Sequence, residues 1–397
     1  MISVDEAIAI IMREVSSLPH ETICIENSVG RTLAVTPLAR LTHPPARMSA
    51  MDGYAMRLDA PQPIGAQFEV RGEAPAGRPF EGELSGGAVR IFTGGVVPGG
   101  ANHVVIQEDV ERQGETITLT EEQTAPRHIR QKGTDFTAGD KLLSVGRVLK
   151  PIDIALLATA GISDISVVKK PSVAVFANGD ELVEPNEIPG PGQVVNSITR
   201  GLKPLLESWG ADVIDLGVAR DHDDAVRTLF DRGAEADLLI PVGGASVGDY
   251  DVVKRVGRER YALQFEKVAV KPGKPVWFGT NDRKLILGLP GNPSSAFVCS
   301  FLFVRCAINR LLGRDEHALT LDRAHLAEPL GPNGNRESFL RAVVYHDEHG
   351  SLCTRVESRQ DTALLSPFAA SNALVRRAPG EAALEKGATV QVLCLTP

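Results

Sequence analysis

The amino-acid sequence predicts a multidomain α/β protein. A central α/β domain with a mainly parallel sheet is preceded by a β module and followed by a small β barrel or sandwich. Three observations predict this class. From residue 171 to 313 strand-like runs alternate with helix-spaced stretches, the rhythm of a helix-covered parallel sheet. Between residues 67 and 119 the runs are short, alternating and broken by glycine, as in FEVRG, AVRIFTGG and TITLT. After Leu319 the helical spacing disappears, and SFLRAVVYH, LCTRVES, NALVRRA and TVQVLCL alternate at strand spacing. At 397 residues the chain exceeds what one core sustains, so two to four domains are expected.

Taken in order, Ser3 and Glu6 form an S-x-x-E capping box, and Ile8, Ile11, Met12 and Val15 recur on one face of the helix it starts. Pro19 ends that helix. Short extended pieces surround residues 21–25 and 32–34, before the turn His43-Pro44-Pro45. SAMDGYAM, residues 49–56, carries a tight Asp-Gly turn and Tyr54. IFTGGVVPGG, residues 91–100, is a strand-to-glycine turn that exposes the Thr93 hydroxyl. HIRQKGTDFTAGDKLL, residues 128–143, returns towards helical character, and PIDIALLATAG, residues 151–161, reads as a helix stopped by glycine. Element order suggests that this helix packs on the first, with the β module inserted between them.

In the α/β region, SVAVFA is the first strand, followed by the NGDEL loop and a helix from about Ser197 to Trp209. DVIDLGV follows, then a helix capped by Asp221, then the strand LLIPV, whose apolar run Leu238–Ile240 stops at Pro241. A helix near residues 252–258, a hairpin of LQFEKVAV with PVWFGT, and the strand LILGL come next. The last helix opens with Asn292 as cap and Pro293 at its first position.

A net charge of −8 argues against general nucleic-acid affinity, which needs a basic surface. The amino terminus is acidic and amphipathic with no small-residue cleavage site after it, so it reads as a helix and not as an export signal. No apolar run approaches the roughly twenty residues of a membrane span. Five scattered cysteines without a CxxC pair fit reduced thiols in a cytoplasmic protein.

Candidate chemistry gathers at the ends of strands. ADLLIPVGGASVGDYD, residues 236–251, places Gly243, Gly244, Ser246, Gly248, Asp249 and Asp251 just past a buried strand, where open α/β sheets bind ligands. Asp180 with Glu181, Asp221 with Asp223 and Asp224, and Asp249 with Asp251 are carboxylate clusters suited to a hard cation such as Mg²⁺. Helix capping or a solvated loop is the plainer alternative, above all for Asp221. Lys267, Lys271 and Lys274 alternate with apolar residues and prolines and either clamp an oxyanion or guard a strand edge. LPGNP, residues 289–293, aims the amino terminus of the last helix at the ligand edge, a natural anion site. The nine histidines form no metal pattern, and there is no nucleophile elbow, P-loop or GxGxxG.

The order and spacing of these motifs resemble the molybdopterin molybdenumtransferase family, of the MoeA type and shared by the E domain of gephyrin. The resemblance is carried by SAMDGYA (49–55), RIFTGGVVPGGANHVVIQED (90–109), GTDFTAGD (133–140), NGDEL (178–182), GVARD (217–221), GGASVGDYD (243–251), KPGKP (271–275) and GLPGNP (288–293). It implies a discontinuous linker domain at residues 1–42 and 141–170 and an inserted β domain at 43–140. A MogA-like, molybdopterin-binding α/β domain would then span 171–315 and a carboxy-terminal β barrel 316–397. It also implies an elongated homodimer in which one subunit's α/β domain meets the other's amino-terminal domains.

The implied reaction inserts molybdenum from molybdate into adenylylated molybdopterin, with Mg²⁺ and release of AMP. Asp52, Thr93, Asp135, Glu181, Asp221 and Lys271 take the catalytic positions. Glu181, Asp221 and Asp251 would hold the cation. Asp180, Gly243, Gly244, Ser246, Gly248, Lys267, Lys274, Pro290, Gly291, Asn292 and Pro293 would bind substrate. Implied partners are a molybdopterin adenylyltransferase and recipient molybdoenzymes, with no nucleic acid and no membrane. Asn178, Pro241, Thr134, Arg47-Met48 and His103 depart from the family pattern. Two alternatives remain at this level, a non-catalytic pterin scaffold that delivers cofactor and an adenylyltransferase. The retained acids favour transfer chemistry over the first, and the extra β domains over the second.

Overall fold

The computed structural model describes residues 1–244, 252–314 and 319–395. Helix α1 (Val4–Glu14) starts at the expected capping box: Ser3 Oγ accepts the Glu6 N–H at 3.1 Å, and Glu6 accepts the Ser3 N–H at 2.7 Å. Its buried residues Val4, Ala7 and Ile11 share one core with the long terminal helix of the α/β domain. Ile2 extends this attachment, donating to Lys267 O at 3.2 Å and accepting from Ala269 N–H at 2.7 Å. The expected partner, Pro151–Thr159, lies instead in a separate core with Ile25, Leu33 and Phe136. The terminal helix is apolar on every side and needs cover that one sheet face cannot supply, which is why α1 is recruited to it.

The β module is a six-stranded sheet built on Gly53–Met56, Gln67–Ala74, Ala88–Ile91, His103–Ile106, Val110–Gln113 and Thr116–Leu119. Residues 128–143 are not helical. Ile129–Arg130 pairs with Met48–Ser49, and turns follow at Gly133 and Gly139, whose φ values are 73° and 95°. Asp140 holds the second turn by accepting the Thr137 N–H at 2.8 Å and its hydroxyl at 2.9 Å. Positive-φ glycines six residues apart leave no room for a helix.

The α/β domain runs β1 (Ser172–Asn178), α2 (Ile198–Ser208), β2 (Asp212–Ala219), α3 (Asp223–Arg232), β3 (Leu238–Val242), α4 (Val252–Arg260), β4 (Ala262–Phe265), β5 (Trp277–Asn281), β6 (Lys284–Gly288) and α5 (Pro293–Leu311). The sheet order is β2-β1-β3-β6-β5-β4, with the first four strands parallel and β5 antiparallel to both of its neighbours, β6 and β4. Alternation along β1 separates the faces. Val173 and Val175 pack with α1, α2 and α5, while Ala174 and Phe176 pack with α3 and α4. Strand β3 includes Pro241 and continues to Val242, past the expected stop. α5 is the one described helix long and apolar enough to cross a membrane by length and composition, and 83% of that window is buried in the protein's own core.

At the carboxy terminus Leu321–Leu326, Glu337–His346, Leu352–Val356, Ala373–Arg377 and Thr389–Cys394 form a closed barrel, because Glu337–His346 pairs with strands on both sides. The expected hairpin strand across residues 263–270 divides. Ala262–Phe265 pairs with β5, whereas Val270–Lys271 pairs in parallel with Glu337 and Ser338 of the barrel. Val268 and Val270 are buried in the main core, which draws the chain off the sheet edge at that point.

Candidate active site

Strands β2 and β3 flank β1, so strand order reverses at the β1–β3 boundary. The carboxyl ends of those two strands form the crevice where such sheets bind ligands. A cleft of ≈ 700 Å³ opens there. Ala177, Asn178 and Glu181 line it from β1, Val242, Gly243 and Gly244 from β3, and Pro290, Gly291, Asn292 and Pro293 from the turn into α5. Both strand-end glycines are required by the fold. Gly243 has φ 95°, and a Cβ there would sit 2.6 Å from the Asn178 carbonyl oxygen; Gly244 has φ 63° and faces the Val253 side chain at 2.7 Å.

Asn178, 6% exposed, uses its amide to tie the loops together. Its Nδ2 donates to Ala219 O at 3.2 Å and Arg220 O at 3.4 Å. Arg220 returns a bond to Asp180 O at 2.7 Å, and the Asp221 N–H donates to Asp180 Oδ1 at 3.1 Å. The NGDEL and GVARD loops therefore meet at the carboxyl ends of β1 and β2, joined through Asp180 and the Asp221 backbone. Asp221 does not cap α3. His222 does, through Nδ1, which accepts the Ala225 N–H at 3.3 Å.

Among the sites expected from sequence, the cleft unites Glu181, Gly243, Gly244, Pro290, Gly291, Asn292 and Pro293. Asp180, Asp221, Lys267, Lys271 and Lys274 are exposed and lie outside its lining, although Pro275 beside Lys274 is part of it. Ser246, Gly248, Asp249 and Asp251 lie outside the described residues. Among the described residues no three His, Cys, Asp or Glu side chains form a cluster that could hold a metal ion.

Asp52, Thr93 and Asp135 sit in the amino-terminal half and do not reach this cleft. Asp52 Oδ1 accepts the Thr93 N–H at 2.7 Å and the Thr93 hydroxyl at 2.8 Å. These bonds, with the Arg90 charge behind them, hold the Asp52 carboxyl below the usual carboxylate range. The Arg90 guanidinium lies 5.0 Å from the ring centres of both Tyr54 and Phe92. Asp135 is exposed, its backbone N–H bonded to His43 O at 3.1 Å.

Sequence reading missed two walls of the cleft. Val194, Val195, Asn196, Ser197 and Ile198 bring in the start of α2, and Ala363 and Leu365 come from a barrel loop. That loop is fastened by Arg341, which is 2% exposed and whose burial lowers its pKa. Its guanidinium donates to Ser294 Oγ and Leu364 O at 2.9 Å each, to Arg359 O at 2.9 Å and to Asp361 O at 3.0 Å. The Ser294 N–H, in the first turn of α5, donates to Thr362 O at 3.0 Å. The VVNS segment before a helix was a legible signal for the first wall. Nothing local signals the second.

A parallel sheet whose switch-point cleft joins glycine turns, helix starts and a barrel loop defines a small-molecule-binding α/β protein with appended β domains. Three family models cover the chain: MoeA N-terminal region (domain I and II) over residues 2–161, "Probable molybdopterin binding domain" over 174–310, and MoeA C-terminal region (domain IV) over 323–395. A molybdopterin molybdenumtransferase from Haemophilus influenzae is 33% identical, with 99% of this chain and 98% of that protein covered. One from Staphylococcus aureus is 32% identical, with 99% and 95% covered. The crystal structure of a molybdopterin biosynthesis MoeA protein from Pyrococcus horikoshii superposes with a TM-score of 0.86 at 27% identity, covering 100% of both chains. The chain belongs to the molybdopterin molybdenumtransferase family, transferases of molybdenum cofactor biosynthesis.

Proposed function

We propose that the protein takes molybdenum from molybdate and inserts it into adenylylated molybdopterin, with Mg²⁺ and release of AMP. The observation that carries this reading is the switch-point cleft, where Glu181, the Gly243-Gly244 turn and two helix starts face one space. Both substrates are anionic. Helix amino termini and exposed backbone amides supply the positive potential that a pyrophosphate needs. The glycine turn lets the ligand approach the backbone, and holding both substrates in one place carries much of the rate.

Glu181 and Asp221 are exposed on adjoining loops, tied together by the bond from the Asp221 N–H to Asp180 Oδ1. Their oxygens are of the hard type that Mg²⁺ takes, and the described residues alone supply fewer than three clustered donors. Glu181 and Asp221 would hold the cation, with Asp251 from outside the described residues completing the set. When bound, the cation would neutralise charge on the phosphoryl oxygens. Lys267, Lys271 and Lys274, exposed on the segment that leads to the cleft-lining Pro275, would draw in molybdate. Because Asp52, Thr93 and Asp135 stand away from their own chain's cleft, we assign them to the cleft of a second copy in a homodimer. Five unpaired thiols among the described residues support a cytoplasmic setting. Recipient molybdoenzymes would take the product, and an adenylyltransferase would supply the substrate.

The deciding experiment combines purified protein, adenylylated molybdopterin, molybdate and Mg²⁺. AMP should appear only when molybdate is present, together with cofactor that activates an apo-molybdoenzyme. Tight pterin binding without molybdate-dependent AMP would overturn the reading. Glu181→Ala should lower turnover about 100-fold or more while changing pterin affinity little. An equal loss of both, with the fold intact, would remove Glu181 from the cation site.

A further inference from the structure

The start of α2 carries a polar side chain that the protein leaves half used. Asn196 is 2% exposed and lines the cleft immediately before Ser197, the N-cap of α2. Its Oδ1 accepts the Thr199 hydroxyl at 3.1 Å, and its buried Nδ2 has no hydrogen-bond partner. Exchanging the amide oxygen and nitrogen does not remove the problem. Thr199 then serves the other atom, and one polar atom still stands idle. Buried polar groups are satisfied in the great majority of cases, so one left open in a ligand cleft points to the ligand as its partner.

The class of ligand atom follows from the two helix starts. Of the two, α5 offers an anion fewer first-turn amides, because Pro293 carries no N–H and the Ser294 N–H is bonded to Thr362 O at 3.0 Å, so its contribution is chiefly the helix dipole. α2, with 11 residues, receives no side-chain cap bond from Ser197, and its first residue, Ile198, lines the cleft. Its leading amides and dipole therefore favour negative charge beside Asn196.

We propose that Asn196 is a substrate-binding residue, donating through Nδ2 to a phosphoryl oxygen of the bound pterin that also rests on the amino terminus of α2. The proposal rests on the cleft being the molybdopterin site. Its test uses molybdopterin, which ends in a phosphate, and its dephosphorylated form as probes in equilibrium titrations. Asn196→Leu/Thr199→Val removes the donor together with its internal partner. The double variant should melt at the wild-type temperature or above, since removing both partners leaves no orphan behind. It should bind molybdopterin about 10-fold more weakly. Removing the phosphate from the probe should weaken wild-type binding by a similar factor and leave the double variant's affinity unchanged. Asn196→Asp, which sets a carboxylate against the phosphate, should lose more affinity than the double variant, and the gap should narrow as salt rises. If wild type binds the phosphorylated probe and the double variant matches it within twofold, the assignment to Asn196 is wrong and the cleft reading stands. An equal loss for both probes would move the contact from the phosphate to the ring. Wild type that binds neither probe would overturn the cleft reading as well.

Discussion

Asp52 and Asp153 illustrate two uses of a depressed carboxylate. Asp52 is half-buried and owes its low pKa to the two Thr93 bonds, with Arg90 adding to them. Thr93→Ala removes the hydroxyl bond and keeps the backbone one. If turnover needs ionised Asp52, the acid limb of the pH–rate profile should move upward in that variant, whereas at neutral pH, where Asp52 is ionised in both proteins, any fall in kcat/KM reads the loss of the Thr93 hydroxyl itself. An unmoved acid limb would exclude Asp52 as the titrating group. Asp153 is 3% exposed and structural. It accepts from Arg147 Nε and Nη2 at 2.9 Å each and from the Lys150 N–H at 2.9 Å. The Arg147 bonds lower its pKa most, and its folded value therefore lies below the unfolded one. The resulting stability is present above the unfolded carboxylate value and is lost as pH falls through it towards the folded value. Asp153→Asn should cost about 1–3 kcal/mol at neutral pH, the lower end reflecting a half-exposed Arg147. Urea midpoints of variant and wild type should converge as pH falls below the usual carboxylate range.

At the scale of elements, the ligand edge is set by how closely β1 and β3 approach at their carboxyl ends. Gly243 makes that approach possible, since its φ of 95° and the Asn178 oxygen 2.6 Å from an ideal Cβ both exclude a side chain. Gly243→Ala should destabilise the protein by about 1–3 kcal/mol, read as a shifted denaturant midpoint. It should also weaken pterin binding, because relief comes only by spreading the two strand ends that form the cleft. A wild-type midpoint would show that the strand ends yield at no cost. The acids Asp180 and Asp221 belong to the same scale. The bond between them links two loops, so either carboxylate can be repositioned by a change in the other loop.

For the whole molecule, the barrel is the part whose role was least visible. Arg341 reaches out of the barrel strand Glu337–His346 to hold residues 359–364 against the first turn of α5. Arg341→Ala should cost on the order of 3 kcal/mol, because the buried Ser294 hydroxyl and three part-buried carbonyls lose a charged donor together. It should also expose the 357–365 loop to limited proteolysis and raise KM more than it lowers kcat. Arg341→Lys should not restore either property, since an ammonium cannot reproduce the planar fork. A protease-resistant loop in Arg341→Ala would mean that Ser294 and Thr362 suffice to hold it.

Local patterns by themselves determined the capping box at Ser3 and Glu6, the alternation that builds the β module and barrel, and the strand–helix rhythm whose edge carries Glu181, Gly243 and Pro293. Each is a statement about spacing or backbone freedom, which neighbours in sequence settle. The tertiary structure alone decided which apolar surfaces cover one another. It took α1 away from Pro151–Thr159 to α5, and sent Val270–Lys271 from the hairpin to the barrel. It also brought Ala363 and Leu365 into a cleft nearly two hundred residues from Asn178. Such choices depend on what remains exposed once the other elements have packed, and no local stretch carries that information. The idle amide of Asn196 is the clearest case, for a missing partner can be recognised only after every neighbour is in place.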